Sequence, residues 1–235
     1  MAEQHYSVST KAAATTAPRG IESAVEINKV LKNTYLLLSM TLLFSAAAAW
    51  LSTTMEVGHG LALGASIAAI VVVWFVLPRT ANSAAGLPVV FLFTGLLGFS
   101  LGPILNHYLS MPNGSSVVMQ ALGSTAAVFL ILSAYVINTK KDFTFLKGFL
   151  FTGFIIVFLS SIGLAVASLF GVQLSGAFLA VNALSALVFS GFILFDTSRI
   201  VNGGERNYIM ATTQLYLDIH ILFTNLLHLI GFADD

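Results

Sequence analysis

No cysteine occurs in these 235 residues, which excludes a disulfide framework, a thiolate metal site and a cysteine nucleophile. Charge is nearly as scarce. Asp, Glu, Lys and Arg make up 9% of the chain, where a soluble domain carries about 25%. A water-facing surface must be covered with such groups, whereas a helix facing acyl chains avoids them because burying each charge costs several kcal/mol. The formal net charge is zero, so nothing points to nucleic acid as a partner. The first thirty or so residues also lack the short apolar core of a cleavable signal peptide, which predicts that the N-terminus is retained.

What is present is hydrocarbon: 57% of the residues are hydrophobic. At about 20 apolar residues per crossing, the chain holds about six to eight spans and no second, soluble domain. Seven unbroken apolar stretches lie at 33–53, 59–78, 84–106, 117–138, 147–170, 174–196 and 208–231. The expectation is an all-α integral membrane protein: a polar cytoplasmic tail over 1–30, then a seven-helix domain over 31–235. Lys11, Arg19, Lys29 and Lys32 precede span one, Arg79 follows span two, Lys140, Lys141 and Lys147 lie between spans four and five, and Arg199 and Arg206 follow span six. Every Lys and Arg therefore falls on one side, which the positive-inside rule makes the cytoplasm. The tail Asp234–Asp235 then lies outside if span seven crosses fully, a re-entrant last segment being the alternative.

Two acids stand out by position. Asp218 sits near the centre of the last apolar stretch and Asp196 closes span six. An acid within the membrane is a functional hypothesis by default, because hydrocarbon selects against it unless it faces a partner or water. The plainer reading is a protonated Asp218 that joins helices by hydrogen bonds. Helical spacing puts Gln214, Asp218 and Asn225 in one stripe, with His228 near its edge and His220 pointing elsewhere. Such a stripe suits a helix packed centrally among the others, lining a hydrated path or bonding its neighbours through amides. If Asp196 and Asp218 meet, they titrate as a coupled pair sharing a proton. They then form a pH switch for which Arg79, Arg199 or Arg206 is a candidate salt-bridge latch, and offer hard oxygen ligands suited to Ca²⁺. Glycines cluster at Gly95, Gly98 and Gly102 in span three, Gly60 and Gly64 in span two, and Gly148 and Gly153 in span five, where small residues let backbones approach. Gly102–Pro103 breaks the backbone ladder, so it is also a candidate hinge.

Other chemistries lack their residues. Asn202-Gly203-Gly204-Glu205 has no Lys–Ser/Thr ending and follows a membrane helix, so it is a turn and not a phosphate loop. No Gly-x-Gly-Asp surrounds Asp218, against an intramembrane aspartyl protease, and the serines have no His and Asp at useful spacing. The expectation is a protein that is not an enzyme and carries no cofactor.

Phe195-Asp196-Thr197-Ser198, Gly203-Gly204, Asn207-Tyr208-Ile209 and Leu215-Tyr216-Leu217-Asp218-Ile219 closely resemble the signature of the Bax inhibitor/YccA-like family. Val30-Leu31-Lys32-Asn33-Thr34-Tyr35, Gly102-Pro103-Ile104-Leu105-Asn106 and Lys140-Lys141-Asp142-Phe143 extend the likeness over nearly the whole chain, towards the bacterial inner-membrane YccA type. The resemblance implies a last helix wrapped by the other six. It also implies a pH-sensitive calcium leak gated by a diaspartyl pair, which maps onto Asp196 and Asp218. A basic latch at the end of the second helix maps onto Arg79, although Pro78 departs from the pattern. The alternative that it implies is a modulator of the membrane protease FtsH and its membrane regulators, engaged through the N-terminal tail.

Overall fold

The computed structural model describes residues 19–172 and 174–233, all of whose regular structure is helical. Seven helices are long and apolar enough to cross a membrane: α1 (Arg19–Thr54), α2 (His59–Thr80), α3 (Gly86–Leu109), α4 (Gly114–Thr139), α5 (Thr144–Leu169), α6 (Ser175–Val201) and α7 (Tyr208–Ala233). Even α2, the shortest at 22 residues, is about 33 Å long against a hydrocarbon core of about 30 Å. The chain is therefore an all-α membrane protein with the seven spans that the apolar stretches predict. α7 is one unbroken helix of 26 residues; a re-entrant segment needs a chain reversal, and α7 contains none.

The first helix starts well upstream of residue 33, because backbone hydrogen bonding does not require apolar side chains. Glu26, Lys29 and Lys32 ride on a helical extension of the span. Of the segment expected to be a polar tail, residues 19–30 are thus the opening turns of α1, and residues 1–18 lie outside the described residues, as do Gln173 and Asp234–Asp235.

Proline shapes two of the helices. Pro78 has no N–H and would strike the carbonyl four residues back, and the ladder of α2 widens to a π turn over Val72–Val76 just before it. Arg79 and the Thr80 hydroxyl then donate to the carbonyls of Phe75 and Val76. In α3 the helix is interrupted at Leu101, between Gly86–Ser100 and Gly102–Leu109, immediately before Gly102–Pro103.

The glycines of α3 are packing residues. A Cβ on Gly95, Gly98 or Gly102 would strike Phe44, Ser45 or Ser52 of α1 respectively, so the two helices meet backbone to backbone. Gly102 is accounted for by that contact without any hinge motion. The other glycine clusters behave differently from the expectation of close approach. Gly60, Gly64 and Gly148 face open space, and Gly153 alone among these meets a neighbour, Val188 of α6.

α7 packs along α1, α3, α4 and α6, while α5 packs against the flank of α6. The main core gathers Leu38 of α1, Phe93 and Leu97 of α3, Phe129 of α4, Ile193 of α6 and Leu215, Tyr216 and Leu222 of α7. Beside Tyr216, on neighbouring faces of the same helix, the polar residues of α7 meet the end of α6.

Candidate functional site

Asp196 comes from the last turns of α6 and Asp218 from the middle of α7, the helices with the most extensive mutual packing. Both residues are buried, 6% and 5% exposed, and the two carboxyls are neighbours that interact directly. Two carboxyls hydrogen bond only by sharing a proton, since an ionised carboxylate is acceptor-only. Asp218 Oδ2 receives no N–H or O–H from any described residue. Asp196 is better provided for: Arg199, one turn on, approaches its Oδ1 at 3.4 Å.

Arg199 holds this end of the site together. Its guanidinium donates to Gln214 Oε1 of α7 at 3.4 Å and to Glu205 Oε2 at 3.3 Å, and lies over the Phe195 ring at 5.6 Å. Glu205 reaches it because the chain turns sharply after α6. Gly203 takes φ 74°, a left-handed conformation natural to glycine, and the Gly204 N–H closes onto the Arg199 carbonyl at 2.7 Å. Asn202 to Glu205 is a turn, as its composition predicts. Asn207 then caps α7, its Oδ1 accepting from the N–H groups of Ile209 at 2.9 Å and Met210 at 3.2 Å. The same side chain donates to the Ala81 carbonyl and to Asn82 Oδ1, tying the start of α7 to the turn between α2 and α3.

Of the three latch candidates, only Arg199 is engaged with the carboxyl pair among the described residues. Arg79 is committed to the Phe75 carbonyl one turn back on its own helix, and Arg206 lines a surface pocket with Glu26, Lys29 and Glu205. The polar stripe is partly drawn together: Gln214 joins the Arg199 network, whereas Asn225 donates back to its own helix at Ile221 O, 2.6 Å away. His228 pairs through Nδ1 with the Tyr108 hydroxyl at 2.9 Å, a packing role. Among the described residues no three His, Asp or Glu side chains cluster as metal ligands.

Residues 27–235 match the model of the family described as inhibitor of apoptosis-promoting Bax1. The chain belongs to the Bax inhibitor family. A protein of Vibrio cholerae described as an uncharacterized membrane protein is 52% identical over 220 residues, covering 94% of this chain and 96% of its own length. The Escherichia coli K12 protein named modulator of FtsH protease YccA is 46% identical over 212 residues, 90% of this chain and 93% of that one. The same figures hold for an Escherichia coli O6:H1 protein named inner membrane protein YccA.

In this Bax inhibitor family member several site residues escape a reading of the sequence. Glu205 is one; its alignment with Arg199 depends on the turn at Gly203. Tyr35 is another, bringing its hydroxyl from α1 beside Ser133 of α4 and Thr197 of α6, which bond each other at 3.3 Å. Ser198, next to Thr197, donates to the Lys141 carbonyl and accepts from the Phe143 N–H at 2.9 Å, fastening the α4–α5 loop to α6. In that exposed loop the Thr144 backbone N–H holds the Asp142 carboxyl below the usual carboxylate range, donating to its Oδ1 at 2.8 Å. The one legible signal was Arg199 itself, three residues after Asp196 and hence on the same helical face.

Proposed function

We propose that this chain is a pH-sensitive cation leak of the bacterial inner membrane, with Asp196 and Asp218 as its gate, Arg199 as the latch and calcium as the permeant ion. The observation that carries the reading is the meeting of two carboxyls from different helices in the bundle interior, one with an oxygen that no described donor satisfies. With a proton between them the pair joins α6 to α7. Without it the two like charges repel, and either the helices part or a cation enters. The pair offers at most four carboxylate oxygens, where Ca²⁺ takes about six to eight, so the arrangement suits passage rather than storage. Arg199 balances Asp196 on the side facing Glu205 and Gln214, so release of the gate requires this network to rearrange. The fall of all ten basic residues on one side supports an orientation with the N-terminus and this network in the cytoplasm and the C-terminus in the periplasm.

Calcium flux into liposomes between about pH 5 and pH 8 tests this reading. A leak that varies with pH, and loses that variation in both Asp196→Asn and Asp218→Asn, is expected. Absence of flux at every pH, or an unchanged profile in Asp218→Asn, would defeat it.

A second reading is favoured by the Escherichia coli relative named for modulation of FtsH. In it the chain binds the protease through the segment preceding α1 and the acids only join helices. Removing residues 2–18 separates the two: association with FtsH should fall while flux stays intact. Unchanged association would count against the tail as the point of engagement.

A further inference from the structure

A cleft of about 690 Å³ lies on the opposite face of α7 from the carboxyl pair, bounded by α1, α3 and α4. Asp218 and His220 are two residues apart, about 200° around the helix, so one faces the gate and the other floors the cleft. Trp50 of α1 and Leu130 of α4, on the rim, are 68% and 62% exposed. The opening therefore faces acyl chains, not water.

Its lining contains no charged residue, and its hydroxyls are already paired. Ser39, Thr53 and Thr125 donate to carbonyls of their own helices at 2.7–2.8 Å, and Ser45 bonds the Tyr216 hydroxyl at 2.6 Å. His220 differs. Its ring stacks on Tyr216 with centroids 5.9 Å apart, and it has no hydrogen-bond partner among the described residues. An apolar cavity of this size with one free polar group on its floor has the form of a site for a lipophilic ligand, whose orientation that group sets.

Depth narrows the ligand. His220 is the thirteenth of α7's 26 residues, about 18–20 Å from either end, hence at the centre of a hydrocarbon core about 30 Å thick. Phospholipid esters and fatty-acid carboxylates stay at the interface and cannot reach it, so the partner's polar atom belongs to a neutral group that resides within the core. Tyr216, His220 and Phe223 follow one another on one face of α7, with Phe129 of α4 also in the lining, a surface suited to a flat ring.

We propose that this cleft binds a neutral lipophile with a planar, carbonyl-bearing ring and a hydrocarbon tail, in chemical class a prenylated quinone, which enters from the bilayer between α1 and α4 and accepts a hydrogen bond from His220. The site is independent of whether the chain conducts ions.

The chain has two tryptophans, so Trp74→Phe leaves Trp50 at the rim as the only one. Quenching of its fluorescence by decylubiquinone, in nanodiscs of phosphatidylcholine, should saturate. The reciprocal Trp50→Phe protein, reporting from lipid-exposed Trp74, should show only linear quenching from partition. Adding His220→Leu to the Trp50 reporter should raise the half-saturating concentration about tenfold, the value of one hydrogen bond. His220→Gln, which keeps a donor, should recover much of the binding. Ala46→Phe, which fills the cleft from α1 and leaves His220 in place, should abolish saturation. Linear quenching at Trp50 like that at Trp74, or a half-saturation unmoved by both His220→Leu and Ala46→Phe, overturns the proposal and leaves the cleft to acyl chains.

Discussion

α5 and α7 are each 26 residues long and each crosses the membrane, yet 50% of the apolar centre of α7 is buried in the bundle against 11% of that of α5. The more apolar helix is the exposed one. Phe145, Phe149, Phe151 and Phe158 of α5 look outward, whereas Thr212, Thr213, Asp218 and Asn225 of α7 are buried. In water the order would be reversed. In a bilayer an apolar side chain gains nothing by leaving lipid for protein, while a polar one escapes a solvent that cannot hydrogen bond it. Burial follows polarity, and the most polar span becomes the one packed among four others.

The sharpest way to break the comparison is to move an acid from one helix to the other. Ile156→Asp on the outward face of α5 should cost about 3 kcal/mol of insertion free energy, seen as a large loss of inserted, monodisperse protein. Asp218→Asn in α7 should insert normally. Equal yields would mean that α5 does not face lipid. A smaller contrast comes from volume. Gly98→Val in α3 must push against the Ser45 backbone of α1 and should destabilise by about 1–3 kcal/mol, read as a fall in the thermal unfolding midpoint in nanodiscs. Gly163→Val in α5, where a Cβ meets nothing within 4 Å, should leave it unmoved.

These contrasts also show why the sequence told the spans apart but not their neighbours. Hydropathy over about 20 residues depends on the segment alone, so all seven helices were legible. The stripe of α7 was legible too, because its period belongs to one helix. Which glycine meets a partner was not, since Gly64 and Gly98 look alike until the facing helix is placed. Likewise Arg79, Arg199 and Arg206 all follow a span, and only the turn that returns Glu205 to Arg199 and the Phe75 carbonyl that engages Arg79 separate them. The cleft behind His220 was invisible for the same reason: its walls on α1 and α4 read as ordinary apolar faces.

A finer test concerns hydroxyls. Tyr216 of α7 bonds Ser45 at 2.6 Å and donates to the Thr94 carbonyl at 3.1 Å, joining three helices. Tyr216→Phe should cost about 0.6–1.7 kcal/mol, the range measured for such bonds within membranes. Thr152 of α5 donates only to Gly148 of its own helix, so Thr152→Val should leave the unfolding midpoint within error. If both substitutions cost the same, the Thr152 hydroxyl has a protein partner outside its own helix.

The smallest effect belongs to the loop that leads into α5. Asp142 accepts from the Thr144 N–H at 2.8 Å, and this bond favours the ionised carboxyl. Its value in the folded protein therefore lies below the ordinary Asp value of about 3.9. A depressed value means stabilisation that is complete above the unfolded value and disappears as pH falls through the folded one. Asp142→Asn keeps an oxygen to accept the same N–H but removes the charge. The variant should thus unfold at a slightly lower temperature at neutral pH and converge with the native chain once acid has protonated Asp142. Because the carboxyl is fully exposed, salt should shrink the neutral-pH difference as well. A difference of the same size in acid and in high salt would show that the shape of the loop, and not the charge, is what the substitution disturbs.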